Sequence, residues 1–515
     1  MAEDYARLLD ITGHVAPSSF LIRPLAVGAA LPSAAALPPW AQVARRSAPT
    51  VHDGISLWVD DPTVRLFDNT AFPFGQNDGA VWEGRGLTTA LDVGGAARWR
   101  GLTLTIRPQL IYTQNAPFHL PVAPDTVPRG YSPYAYPWHR AGGQLRIDMP
   151  LRFGNAAFWT LDPGQTSLTL QRGLVKIGVG TENLWWGPGR ENAIVMSDNA
   201  AGFPHASFAS SRPVSVGIGS VEWQWIWGRL TESKYFDTVS TNNHRFLTGL
   251  IGTFQPKPLP GLYLGLARLF YEYYPKGGLG VRDYLLPFEA LTKLSLVTPS
   301  DSLGNDRRDQ LLAISARWAM PASGFEAYVE WSRNDHATNV RDFLTEPEHS
   351  QGYTVGFQQA VPLSGGRLLR FSGELTHLEQ DATKAVRGTP TYYTHHIVLQ
   401  GFTQLGQVIG AGIGPGGDGQ YLSGDILARW GSAGLWALRQ AVDNDEFYVK
   451  FDSTNAFWNN QFILGVGARG SWDLPRVTIE GSVGWIKNYN RYWVYLDDVA
   501  QLHATATVRW HLGTR

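Results

Sequence analysis

The segment best equipped for chemistry is Glu182-Asn183-Leu184-Trp185-Trp186-Gly187-Pro188-Gly189-Arg190. Two indoles, a tight Gly-Pro-Gly bend and a guanidinium would make a rigid apolar shelf flanked by directional donors. Sugars need both, because their C–H faces stack on aromatic rings while their hydroxyls need donors and acceptors. The plainer reading, that the indoles anchor a loop at a membrane interface, has the better claim on composition alone. Thr391-Tyr392-Tyr393-Thr394-His395-His396 offers a second set of rings and imidazoles that could line a lumen. Read as a strand, it turns neighbouring side chains to opposite faces, so His395 and His396 do not share one ion. Neither a metal nor a cofactor is expected. The candidate glycan contacts are Trp185, Trp186 and Arg190, followed by Asn199, Tyr392 and His395.

Other motifs reduce to structure. Gly412–Gly417 and Gly465–Gly470 have the spacing of a dinucleotide fingerprint. Neither lies between a strand and a helix, so both read as turn or strand glycines. There is no P-loop, HExxH or GxSxG segment. Glu330 with Asp335, or Asp443, Asp445 and Glu446, could serve as acid and base. A glycosidase needs its carboxylates at a set separation, and lumenal acids balanced by Arg are commoner, so no enzyme is expected.

The elements that must position these residues are strands. Charged residues are 17% of the 515, against roughly 25% in ordinary soluble domains. Aromatics reach 12%, with 20 Trp and 56 Gly, yet the hydrophobic share is only 43%. No apolar run is long enough for a membrane helix, which needs about 20 residues. A formal charge of −1 gives no global field for nucleic acid. Only eight of the 43 basic residues are Lys, so Arg, with its planar fork, dominates the positive charge. The lack of Cys excludes disulfides and thiolate sites. Met1–Tyr5 has neither a basic nor an apolar stretch, so it does not read as a signal peptide.

Period-2 alternation recurs almost end to end. Leu502, Ala504, Ala506, Val508, Trp510 and Leu512 form one face, opposed by His503, Thr505, Thr507, Arg509 and His511. Val477–Trp485, Leu369–Thr376, Val221–Trp227, Leu102–Gln109 and Glu326–Trp331 repeat the pattern. A soluble sandwich would turn the apolar faces inward; a membrane barrel would turn them to lipid. Strand candidates of 9 to 12 residues, and Tyr271, Tyr273, Tyr274, Tyr489, Tyr492, Trp493 and Tyr495 at strand ends, favour the barrel. The fold class is therefore an all-β, antiparallel transmembrane barrel of about 16 to 18 strands. Residues 1–50 read differently. Tyr5–Asp10 stopped by Gly13, and a segment opening at Pro39, suggest short helices that plug or flank the periplasmic mouth, with the barrel over 51–515. Ala116–Arg140, Glu182–Arg212, Pro275–Arg308 and Arg439–Asn460 do not alternate and read as long loops.

Several segments, in order, resemble the capsule-assembly Wzi family. They are Tyr5–Leu9 with Gly13, Phe20–Pro24, Trp185–Gly189, Met196–Ala200 with Phe203-Pro204, and Tyr328–Asp335. Tyr392–His396, Gly401–Gln404, Gly406–Gly410 and Gly414–Gly416 complete the set. The resemblance implies an eighteen-stranded monomeric outer-membrane barrel with N-terminal helices closing its periplasmic side. It also implies a surface lectin that holds exported capsular polysaccharide without catalysis. Its partners would be that polysaccharide, outer-membrane lipid and, as a further candidate, the export machinery. The chain departs from many outer-membrane barrels in lacking a final aromatic residue after Trp510. The competing expectation is a porin for sugars or other small solutes, since a barrel this wide conducts unless plugged.

Overall fold

The computed structural model describes residues 2–24, 37–44, 50–52, 54–121, 130–289, 308–334, 340–381, 388, 390–451 and 457–512. One antiparallel sheet dominates, and it closes on itself where the last strand, Val499–Trp510, pairs with Thr63–Asn69. Four strands near the start are each broken by a short kink. Ile55–Val59 continues into Thr63–Asn69, Gly86–Asp92 into Gly95–Trp99, Leu102–Ile106 into Gln109–Thr113, and Phe158–Asp162 into Ser167–Arg172. With each broken pair taken as one strand, and the short segments Thr50–His52 and Val214–Ser215 left aside, the described ladder passes through eighteen, each hydrogen-bonded to the next in sequence. The longest, such as Gly219–Thr231 and Arg308–Met320, have 13 residues, more than the 9–11 a tilted strand needs to cross a bilayer. No helix among the described residues is long and apolar enough to cross a membrane.

Burial settles which face each strand turns outward. Leu502, Trp510, Ile479, Val483, Phe371, Leu375, Leu104, Ile106 and Val329 are exposed. The alternate positions, including Arg317, Glu326, Glu330, Arg370, Glu374 and Asp425, are buried inside the barrel. An apolar outer wall around a charged interior is unfavourable in water and fits hydrocarbon. The aromatic girdle is thinner than the sequence suggests. Tyr271 points inward and donates to Asp309, Tyr273 donates to Gln400, and Trp493 packs edge-on against Trp138. Tyr274 and Tyr495 do face outward.

Tight turns, among them 321–324, 364–366 and 429–430, gather at one end, and the long connections at the other. In outer-membrane barrels the short turns are periplasmic and the long loops extracellular. The helix Ala2–Ile11 lies at the short-turn end. Its Tyr5, Leu8, Leu9 and Ile11, with Trp40 and Val43 of the 3-10 helix Pro39–Ala44, pack on Ala319, Ala360, Leu368 and Leu427 of the wall.

Two expected boundaries move. His205–Ser210, expected within a loop, is a barrel strand, because its short Ala and Ser residues carry too little apolar contrast to register as alternation. Residues 390–417 fold inward as a loop whose described residues hold only the two-residue strands Thr403–Gln404 and Gln407–Val408. Thr391–His396 is therefore not a strand, and the alternation that set His395 and His396 on opposite faces does not exist.

Candidate functional site

The lumen is filled from both ends. At the short-turn end, Asp4 of the helix accepts from Arg190 at 2.7 Å and Arg370 at 2.6 Å. Arg370 also holds Asp425 at 2.8 Å, which Arg469 meets at the same distance. One turn on, Arg7 donates to Glu326 at 2.7 Å while its guanidinium sits 4.9 Å over the Tyr328 ring. Glu326 shares its other oxygen with Arg317, which pairs with Asp10 at 2.8 Å. Spacing of three residues puts Asp4, Arg7 and Asp10 on one helix face, so each meets a wall charge of opposite sign. Burial raises the Asp4 pKa, but Arg370 and Arg190 outweigh it and hold the carboxyl well below the usual range.

The shelf segment enters from the loop end and reaches this helix. Trp185 and Trp186 pair with Arg23 and Ile22, joining the loop to the N-terminal segment. Trp186 is fully buried and donates from its indole to Gln224 at 2.7 Å. It lies so near the wall that a Cβ on Gly249 would touch its ring at 3.0 Å. Trp185 is 6% exposed, with the Arg23 guanidinium 4.2 Å over its ring. Arg190 donates to Asp4 and to Gln358 at 2.9 Å. The amides of Arg190 and Asn192 donate to Glu374, both at 2.6 Å, and that of Ile194 to Glu330 at 3.1 Å. The expectation of an open aromatic shelf is thus corrected: the indoles and Arg190 clamp loop, helix and wall together, because lumenal acids draw the loop amides inward.

Tyr392 and His395 are also interior, at 2% and 4% exposure. The Tyr392 hydroxyl bonds Ser332 at 2.5 Å, and Tyr393 donates to the Ile194 carbonyl. His395 Nδ1 accepts the amides of Ile397 and Val398, which caps a turn. His395 and His396 rings lie 4.6 Å apart. Among the described residues, His377, Glu379 and Asp418 come close enough to hold a cation. Asp418 already accepts from Arg439 and Gln420, and Glu379 from Asn444. The acids weighed for catalysis are similarly engaged. Asp443 accepts from Tyr136 at 2.5 Å and meets His139 Nε2 at 2.7 Å. Asp335 lies outside the described residues.

Asn199 is the expected residue that borders open space. Its Nδ2 donates to the Val408 carbonyl at 2.9 Å, and its carbonyl accepts from Gln407. Both residues line a polar cavity of 180 Å³ together with Phe74, Asn77, Trp82 and Glu83. Three loops meet here: 70–85, 181–204 and 390–417. Asn77 Nδ2 donates to the Glu191 carbonyl at 2.7 Å, and the Gly79 amide donates to the Asp198 carbonyl, so the first loop rests on the second. Trp82 packs against Phe153 at 4.9 Å. Sequence reading missed Asn77, Trp82 and Glu83. The signal available was Phe72-Pro73-Phe74-Gly75-Gln76-Asn77-Asp78-Gly79, where alternation stops in a run of rings, amides and glycines.

A closed, outward-apolar barrel with its own N-terminal helix and loops packed inside defines a class: an outer-membrane β-barrel. The family model of the capsule assembly protein Wzi matches residues 72–424, and the chain belongs to that family. Among solved structures, it is similar to Escherichia coli Wzi, described as an outer-membrane, carbohydrate-binding β-barrel involved in group 1 capsule assembly. That pair shares 15% identity over 99% of this chain and 97% of the other, with a TM-score of 0.62. A BenF-like porin from Pseudomonas fluorescens Pf-5 matches at 8% identity over 88% of this chain and 99% of the other, with a TM-score of 0.44. Acinetobacter baumannii OccAB2 matches at 10% identity over 89% and 98%, with a TM-score of 0.43. No curated protein sequence matches.

Proposed function

We propose that this chain is a surface lectin of the outer membrane that binds exported capsular or extracellular polysaccharide and holds it on the cell, as part of capsule assembly. The observation that carries the reading is the helix Ala2–Ile11, tied across the lumen by Asp4, Arg7 and Asp10 to Arg370, Glu326 and Arg317. A barrel shut in this way offers the outside a fixed loop surface in place of a passage, which weighs against the porin reading. Asn199 and the cavity beside it contact the glycan, while Trp185, Trp186, Arg190, Tyr392 and His395 act by setting the loops. The protein works as a monomer and without catalysis. In support, the Asp443, Glu330 and Glu374 carboxylates are consumed by internal hydrogen bonds. Its apolar wall meets membrane lipid, and the export machinery is a natural donor of the polymer.

Each sugar contact in water nets about 1 kcal/mol or less. Retention then depends on repeating sugar units engaging many barrels at once. The test is the partition of polysaccharide between cells and medium in strains with and without this chain. Polymer shed to the medium at unchanged total synthesis is expected; polymer that stays on cells lacking the chain refutes the reading.

A further inference from the structure

The cavity at the junction of the three loops contains polar groups that the fold leaves unsatisfied. Glu83 is 6% exposed; its carboxyl meets that of Asp78, and no N–H or other hydroxyl of the fold donates to its Oε2. The nearest ring nitrogen, His503 Nδ1, is 3.9 Å away and stands 2.9 Å from Asn69 Oδ1. Asn77 Oδ1 is likewise buried without a partner, although the residue is pinned through its Nδ2 in a left-handed backbone conformation at φ 64°. A buried polar atom without a partner costs free energy that a bound hydroxyl would recover. Gly75 keeps the pocket open to such a group, since a Cβ there would fall 2.1 Å from the Glu83 carboxyl. Trp82 and Phe74 add ring surface of the kind that packs on sugar C–H groups.

Charge narrows the ligand. No Lys, Arg or His lines the cavity, whereas Asp78 and Glu83 both do. The Arg65 guanidinium reaches Asp78 at 3.4 Å and is held at 2.9 Å by Asp92. Burial, then the charge and the hydrogen bond of Asp78, raises the Glu83 pKa well above the carboxylate range, so the two acids face each other across one proton. A uronate would bring a further negative charge into this site with no cation to meet it. At 180 Å³ the cavity is well below the roughly 300–1,000 Å³ of drug-sized pockets and suits one ring.

We infer that the cavity formed by Asn77, Trp82, Glu83, Asn199 and Gln407 is a subsite for a single neutral hexose of the bound polymer, and that it discriminates against uronic acids. The inference rests on the lectin reading above. It is tested by saturation-transfer NMR on the full chain in deuterated detergent micelles, with methyl glucoside, methyl galactoside and glucuronate as probes. A neutral glycoside should receive saturation, and glucuronate about fivefold less or none. Gln407→Ala removes a side chain that donates to the Asn199 backbone carbonyl, and Trp82→Ala removes the ring. Both should weaken the neutral signal about fivefold while the circular-dichroism melt of the barrel stays in place. Glucuronate binding as well as the neutral probes, or a neutral signal undiminished in both variants, overturns the subsite. Wild-type protein that retains whole polymer yet shows no transfer to neutral glycosides also overturns it, and leaves the lectin reading standing. Wild-type protein that retains no polymer removes the lectin reading, and the subsite with it.

Discussion

At the short-turn end of the lumen, Arg317 stands between Asp10 and Glu326, and Arg370 between Asp4 and Asp425. At the loop end, Asn77 Oδ1 is just as enclosed without a hydrogen-bond partner, and Glu83 faces a second acid, Asp78, in place of a cation. Both regions bury polar side chains inside one barrel, so burial alone does not distinguish them. Pairing does. Opposite charges that satisfy each other make a lock, and they leave little capacity for a ligand. An amide and two facing acids with no cation between them keep hydrogen-bonding capacity for something that arrives from outside. In this molecule the lock comes from the helix and the strands, and the receptive surface from three loops resting on it.

The largest effect should come from breaking the lock. Arg317→Met strands Asp10 in the interior and leaves Glu326 with Arg7 alone, and removing one partner of a buried ion pair costs about 3–5 kcal/mol. The helix should leave the wall, and conductance in planar bilayers should rise from near zero to discrete openings. A silent variant would mean that the loops alone seal the barrel. Next in size, Glu374→Ala takes the acceptor from the amides of Arg190 and Asn192, at about 1–3 kcal/mol for buried donors left unmet. Hydrogen exchange at residues 190–192 should accelerate while the strand amides stay protected.

A smaller, pH-dependent effect should appear at the loop latch. Burial works against charge on His139, but Asp443 outweighs it and raises the imidazolium pKa to about 9. A pKa raised above the unfolded value of about 6.5 adds stability that is complete below pH 6.5 and lost as pH rises through 9. Proteolysis within residues 130–148 should therefore quicken between pH 6.5 and 9.5, and His139→Gln should flatten that dependence. Smallest of all, Trp159→Ala on the outer wall, where the ring is 67% exposed, should change stability by about 0.5 kcal/mol or less, measured by urea unfolding in micelles.

The wall was legible in the sequence because a strand's period of two writes its two environments directly into residue order, as in Leu502–Leu512. Length and composition then excluded helical membrane proteins, and the apolar faces do point outward. The loop interior was less legible. Trp185 and Trp186 were recognisable as a rigid pair, yet residue type does not say whether an indole faces water or Gln224, since both suit its amphipathic ring. Glu374 and Glu330, which draw that loop inward, lie more than a hundred residues further along. Contacts across such separations leave no local pattern. The cavity stayed hidden for the same reason: Trp82, Asn199 and Gln407 come from three loops, and only folding brings them together.

The most direct measurement is binding of polysaccharide purified from the same cells to the full chain in immobilised nanodiscs, followed by surface plasmon resonance. Wild-type protein should retain the polymer with slow release that shortens as surface density falls, and Arg317→Met should conduct ions while binding less. A wild-type surface that passes the polymer unretained, from a protein that conducts without any substitution, would contradict the lectin reading and restore the porin.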